Sequence, residues 1–459
     1  MASISAALAR IKRDALGVLD RGAIEQLCEE LGHAWREREL DPANTLALFV
    51  QQIVHGNAPC AAVRHIARGR AFTASAYCQA RARLPLALCQ AMLTRAVEAA
   101  LPRTREAAHL WHGHRVFHVD GSTFSMPDTA ELQRAFGQPG AQATGCGFPV
   151  AHLLVLFSAA TGLLLDAWAA PLRTGDLAQA AEVHLHLNDG DVLIGDEVFG
   201  TYAHLALLLQ SQLHGLFPVH HLRIVDFAAG RPHTTEGKNA VAGLPRSRWI
   251  KSLGTDDQLV EYVKPKQPPL WMSKAQYDAL PDTIVVRELR RTVCRPDGGD
   301  GDGGGGLGKV TLTMVTTLTD PRAYPAAELL ELRLRRWDVE TNLRHLKQTM
   351  KMDVLRCKSE AGVRKELAVF CLVYNLVRAV MLEAARRQQA PVARISFADA
   401  LHWMRHARPG DALPELMLVP HRPNRIEPRC RKRRPREYDL MNKPRDVLRK
   451  RLKNQGKAA

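Results

Sequence analysis

Nowhere in this 459-residue chain do two of its nine cysteines stand at the Cys-x-x-Cys spacing of a thiolate metal site. That absence argues against zinc ribbons and dithiol redox centres, and the odd count argues against a fully paired disulfide frame; the thiols read as reduced and mostly buried, as in a cytosolic protein. Also missing is the unbroken apolar core of a signal peptide, since MASISAALARIKRDALG is charged from Arg10 onward. The longest apolar run, VAHLLVLFSAATGLLL, is interrupted by His152 and a Thr-Gly turn. It predicts a buried strand pair, with no membrane partner.

What is present in excess is positive charge, 63 Lys and Arg against 47 Asp and Glu for a net +16. Residues 421–459 alone carry fifteen cations and four acids, or +11, which leaves +5 for the rest. The RCRKRRPR core of that tail, Arg429 to Arg436, has the density of a phosphate-binding arm, with a plain solubilising tail as the bland alternative.

Along the chain, residues 1–105 show helical periodicity broken at Asp41-Pro42, Gly56, Pro59 and Pro85. This predicts an all-helical N-terminal DNA-binding region, in which the pair hinged at Pro85, its first helix carrying Arg81 and Arg83, could insert into a DNA groove, although most helix pairs with a few arginines do not. From 106 to 222 the texture becomes strand, strand, strand, helix, strand, helix, strand, which predicts an α/β mixed sheet flanked by helices. RVFHVDGSTFSMPD reads as a strand ending at Asp120-Gly121, and DVLIGDEVFG as one whose apolar run stops at Gly195-Asp196. If these strands are parallel neighbours, both aspartates emerge together at their carboxyl ends. Residues 223–322 read as an inserted, mainly β subdomain with a flexible glycine-rich loop from Asp297 to Gly308. Residues 323–390 return to the core with two long helices, and 391–459 form a C-terminal helical segment and the basic tail.

The first of those helices contains RRWDVETNLRHLKQ. Projected as one continuous helix, Glu340 has Arg336 and Lys347 within about 40° on one side, Arg333 and Arg344 within about 40° on the other, and Trp337 nearby. Leu332, Val339, Leu343, Leu346 and Met350 make a separate apolar stripe for docking. Ordinary surface ion pairs would account for part of this, yet four cations around one acid call for an external anion.

Asp120, Asp196 and Glu340 are hard oxygen ligands suited to Mg²⁺ or Mn²⁺, and two such ions could activate an attacking oxygen and stabilise the leaving oxygen of a phosphodiester. Asp128, Asp166, Asp191 and Glu197 compete for any metal, His118 reads as packing, and Trp249 and Trp271 either pack the insertion or stack on bases.

SAYCQARARLP, HVDGSTFSMPDT, IGDEVFGTY, the long block from VTTLTDPRAYP to VLRCKS, and EPRCRKRRPREYDLMNKPR together resemble the DDE transposases of bacterial insertion sequences, in the fourth insertion-sequence family. Members carry a ribonuclease H-like catalytic core interrupted by a β insertion. The family signature, Tyr, two residues, Arg, three residues, Glu, six residues, Lys, is matched by Arg336, Glu340 and Lys347, with Arg333 at the tyrosine position. The resemblance implies that Asp120, Asp196 and Glu340 bind the catalytic metals and that Arg336 and Lys347 hold DNA. Arg333 and Arg344 join them as candidate phosphate contacts, and Trp337 as a candidate base stack. It implies inverted-repeat ends and target DNA as substrates, a homodimer in the synaptic complex, and action in the bacterial cytoplasm at the nucleoid. A metal-dependent nuclease on the same core, or a DNA-binding protein derived from an inactive transposase, are the alternatives.

Overall fold

The computed structural model describes residues 20–66, 71–100, 109–234, 243–295, 308–407, 411–420 and 441–455. The glycine-rich loop (296–307) and the RCRKRRPR stretch therefore lie outside the described residues.

The N-terminal region is helical: α1 (Arg21–Glu30), α2 (Pro42–Val54), α3 (Cys60–Ile66), α4 (Ala74–Arg83) and α5 (Leu86–Ala100). Asp41 caps α2 by accepting from the Asn44 amide at 2.7 Å, with Pro42 at the first helical position where its missing N–H costs nothing. Pro85 separates α4 from α5 as its lack of a backbone donor predicts. Arg81 of α4, however, faces inward. Its guanidinium lies 3.7 Å from the Phe49 ring centroid and 3.1 Å from the Cys357 sulfur, so it joins α4 to the core and cannot enter a DNA groove.

The remaining elements are β1 (Val116–Ser125), α6 (Ala130–Phe136), β2 (Val150–Ser158), β3 (Leu164–Pro171), α7 (Ala180–His184), β4 (Val192–Ile194), α8 (Tyr202–Gln210) and β5 (His214–Pro218). After them come β6 (Arg248–Gly254), β7 (Asp257–Val263), α9 (Lys274–Asp278), β8 (Thr283–Arg295) and β9 (Gly308–Thr316). The chain closes with α10 (Ala326–Leu334), α11 (Trp337–Arg344), α12 (Glu360–Gln388), α13 (Phe397–His406) and α14 (Arg445–Gln455). Nine strands form one sheet in the order β3-β2-β1-β4-β5-β9-β8-β7-β6. The β3-β2-β1 meander is antiparallel, β1-β4-β5 is parallel, and this five-stranded half is the ribonuclease H-like core. The inserted strands do not form a sheet of their own, because β9 pairs antiparallel with β5 and extends the core sheet outward.

Strand β1 runs past the expected stop at Asp120-Gly121 to Ser125, pairing with β2 along its length. Helix α12 is long and apolar enough to cross a membrane, but it is buried as the central core helix. Asn375 fixes its position, its side chain accepting from the Leu164 amide at 2.9 Å and donating to the Leu164 carbonyl at 2.7 Å. Burying that amide is tolerable only because both of its ends are paired.

Two enclosed histidines stiffen the turn after β4. His204 Nδ1 donates to the Phe199 carbonyl at 2.8 Å, so its Nε2 is an acceptor for His184 Nε2 at 3.1 Å. Burial pushes His204 down to about 3 and His184 down to about 4 from the usual 6.5. Both are neutral in the fold, so their stabilising contribution is complete above pH 6.5 and is lost as pH falls toward those values. A tenfold difference in proton affinity between folded and unfolded chain is worth roughly 1.4 kcal/mol, so the expected loss between pH 6.5 and 4 is on the order of a few kcal/mol. Urea titrations at pH 7, 5 and 4 should show a falling midpoint at constant slope.

Candidate active site

Strands β1 and β4 are in parallel register with His118 opposite Ile194, so Asp120 and Asp196 follow at the same offset along adjacent strands. Asp120 places one oxygen on the Gly121 amide at 3.0 Å. Asp196 caps the short turn Glu197–Gly200, accepting from the Val198 amide at 3.0 Å. Each carboxylate therefore has one oxygen tied to its own backbone and one left for other partners.

The segment expected as one helix is divided. Helix α10 ends at Leu334, α11 begins at Trp337, and a π-helical turn covers His345–Thr349. The break at Arg335-Arg336 turns Arg336 toward the sheet, where its guanidinium lies 3.4 Å from Asp120 Oδ2 and 3.4 Å from Glu340 Oε1. One cation thus joins the first carboxylate to the third. Glu340 is the more open of the two, its side chain 47% exposed against 16% for Asp120. Further along, Lys347 donates to Ser122 Oγ at 2.9 Å, on the same strand face as Asp120.

The electrostatics show which groups face one another. Burial pushes Asp120 up to about 6, with Asp196 and Glu340 adding to the rise and Arg336 opposing it. Burial also raises Asp196, and Asp176 raises it further. Arg333 is depressed to about 10, first by burial and then by Arg336, while Asp196, Asp120 and Glu340 pull the other way. Its Nε is buried without a hydrogen-bond partner, so this arginine stands within the field of all three carboxylates and is not fully engaged by any of them. His118, also buried, is held near 3 by burial and the adjoining arginines, with neither ring nitrogen bonded among the described residues.

Other candidates are placed elsewhere. Arg344 is exposed and makes no ion pair among the described residues, with Glu340 or any other acid. The backbone of Trp337 opens α11, while its side chain lies outside the described residues. Asp191 is bound to Arg115, Asp128 to Arg445, Asp166 to His186, and Glu197, next to Asp196, to His221. Trp271 packs against the core. Sequence reasoning missed Asp176 and His152, which meet at 2.5 Å beside Gly121; the Gly175-Asp176 step after β3 was the available signal.

Among the described residues no group of three or more acidic, histidine or cysteine side chains is already gathered around a metal position. The donor set nevertheless fits a hard divalent cation: Asp120, Asp196 and Glu340 offer only oxygens, and their mutual repulsion is answered here by an arginine. Two carboxylates beyond adjacent parallel strands and a third from a late helix thus stand together amid cations.

The Transposase DDE domain family matches residues 111–376, more than half of the chain. The chain belongs to that family and is a DDE-type DNA transposase. It is similar to the transposase InsG for insertion sequence element IS4 of Escherichia coli K12, 26% identical over 383 residues that cover 77% of this chain and 78% of InsG. It also matches the putative transposase InsZ of the same bacterium, 29% identical over 103 residues, 22% of this chain and 34% of InsZ. Among solved structures, a piggyBac transposase synaptic complex with hairpin DNA aligns with TM-score 0.42 at 9% identity, covering 86% of this chain and 80% of that one.

Proposed function

We propose that this transposase binds the inverted-repeat ends of its element, hydrolyses the phosphodiester at the boundary to free a 3′ hydroxyl, and directs that hydroxyl at target DNA. The observation that carries the reading is the shared offset of Asp120 and Asp196 beyond the parallel β1-β4 pair, with Glu340 tied to Asp120 through one guanidinium. Asp120, Asp196 and Glu340 would hold two Mg²⁺ or Mn²⁺ ions, which when bound supply Lewis-acid polarisation of the scissile phosphate. The chain's own groups do the rest. Arg336 exchanges its carboxylate partners for phosphate oxygens, and Arg333, whose Nε has no partner, offers a second donor fork. Lys347, anchored at Ser122, supplies a point charge on the same face, and Arg344 extends the cationic rim toward solvent. Trp337, at the start of α11, is the candidate platform for a displaced base.

We assign end recognition to residues 1–105, catalysis to 106–222 and 323–390, support of the sheet to the insertion 223–322, and non-specific DNA contact to 391–459. Two ends must be held together, so the working form is a homodimer, acting in the cytoplasm at the nucleoid. The test uses purified protein, Mg²⁺, labelled duplex carrying the inverted repeats that flank the gene, and a supercoiled target. Nicking at the boundary followed by joining of the freed strand is expected. Cutting without joining would indicate a nuclease, and binding without either would indicate a DNA-binding derivative.

A further inference from the structure

Next to the three carboxylates lies a fourth with no part in the chemistry proposed so far. Asp176 opens the turn Asp176–Gln179 after β3, and that turn packs against the Glu197–Gly200 turn that Asp196 caps. Its Oδ1 accepts from His152 Nε2 of β2 at 2.5 Å. His152 sits opposite Thr123 of β1, so the pair lies under the strand that carries Asp120. Both side chains are mostly enclosed, 11% exposed for His152 and 18% for Asp176.

Gly121 explains how the carboxylate reaches this place. A Cβ there would lie 2.6 Å from Asp176 Oδ1 and 3.0 Å from its Cγ, closer than carbon and oxygen approach without bonding. The glycine beside Asp120 is thus the space that Asp176 fills, and residues 121, 152 and 176, far apart in sequence, form one unit. By strand alternation Gly121 faces away from Asp120, so Asp176 lies across β1 from Arg336 and meets the site at Asp196, beyond the end of β4, where the two turns pack together. Its charge nonetheless registers at Asp196.

This enclosure has a cost that packing alone does not justify. The carboxylate's one side-chain donor among the described residues is this imidazole, and His152 Nδ1 is itself buried without a partner, which costs its desolvation. An apolar pair of similar volume would hold the turn to the sheet more cheaply. We propose that Asp176, locked by His152, is a positioning residue of the catalytic centre, its carboxylate accepting hydrogen bonds from the water carried by a divalent cation held at Asp196. Mg²⁺ keeps several of its waters in protein sites, and outer-shell acceptors of this kind orient the coordinating groups. The inference rests on the proposed metal-binding role of Asp196.

The test compares wild type, Asp176→Asn, His152→Gln and His152→Ala. It reads Mn²⁺ binding to the DNA-free protein by water-proton relaxation and the Mg²⁺ half-saturation of end cutting. Asp176→Asn keeps shape and removes charge, so Mn²⁺ affinity should fall roughly 10- to 100-fold, with the loss appearing in metal half-saturation rather than in the rate at saturating Mg²⁺. His152→Gln retains a donor and should recover most of the affinity; His152→Ala should not. Metal binding equal to wild type in Asp176→Asn overturns the proposal. Should Asp176→Asn not fold, wild-type Mn²⁺ affinity in folded His152→Ala overturns it equally. Asp196→Asn separates the two layers: if it too leaves Mn²⁺ binding intact, the metal role of Asp196 fails, whereas loss there with none in Asp176→Asn defeats only this inference.

Discussion

Replacing Asp196 with Asn should abolish cutting at the element's end while leaving end binding intact. The amide keeps the size of the carboxylate and can still accept from the Val198 amide, so the Glu197–Gly200 turn should survive. What disappears is a negative charge that adds to the rise burial imposes on Asp120. Loss of a metal-binding oxygen removes several kcal/mol of charge stabilisation in the transition state, a rate decrease of at least about 10³-fold. Gel-shift binding and single-turnover cutting, measured on the same preparation, check the two halves of this expectation. Cutting at the wild-type rate would move the second catalytic aspartate elsewhere.

The largest expected effect on stability lies outside the site, at the joint between the insertion and the core. Arg287 of β8 is 1% exposed and makes two parallel bonds to Asp257 of β7, at 2.8 and 2.6 Å, with a third to the Tyr324 carbonyl at 2.7 Å. Tyr324 leads directly into α10, so this guanidinium links the inserted strands to the segment that runs on through Arg336 to Glu340. Asp257→Ala would leave a buried cation without its counter-charge and should destabilise the fold by about 3–5 kcal/mol. The double replacement Asp257→Leu with Arg287→Met should cost clearly less, since no charge is stranded. Denaturant unfolding of both variants measures the difference. Equal losses would mean that shape, rather than charge, governs the joint.

Much of the core could be read from pattern alone. Alternation and turn residues located β1 to β5, and the apolar run ending at Gly195-Asp196 marked where β4 stops, because a short parallel strand buried on both faces is written as unbroken hydrophobicity. The departures have physical causes. Asp120-Gly121 looked like a turn, yet Gly121 is present to admit Asp176, a contact with a residue 55 positions away that no local rule detects. The division between α10 and α11 was invisible because RLRRW contains neither proline nor glycine and the periodicity runs straight through it; the break sets Arg336 against Asp120 of β1, a tertiary contact. Arg81 looked available because it lies on a helix rich in cations, but an aromatic ring and a sulfur in other elements enclose it. Charge placement is decided by tertiary neighbours, which is also why Arg344, at ideal spacing from Glu340, ends in solvent.

The extension of the core sheet through β9 bears on any attempt to trim this protein. Excising the inserted strands would strip β5 of its outer partner and leave a row of open amides and carbonyls one strand away from β4, which leads to Asp196, an invitation to intermolecular pairing and precipitation. A minimal catalytic fragment would therefore need to retain the inserted strand β9 against β5.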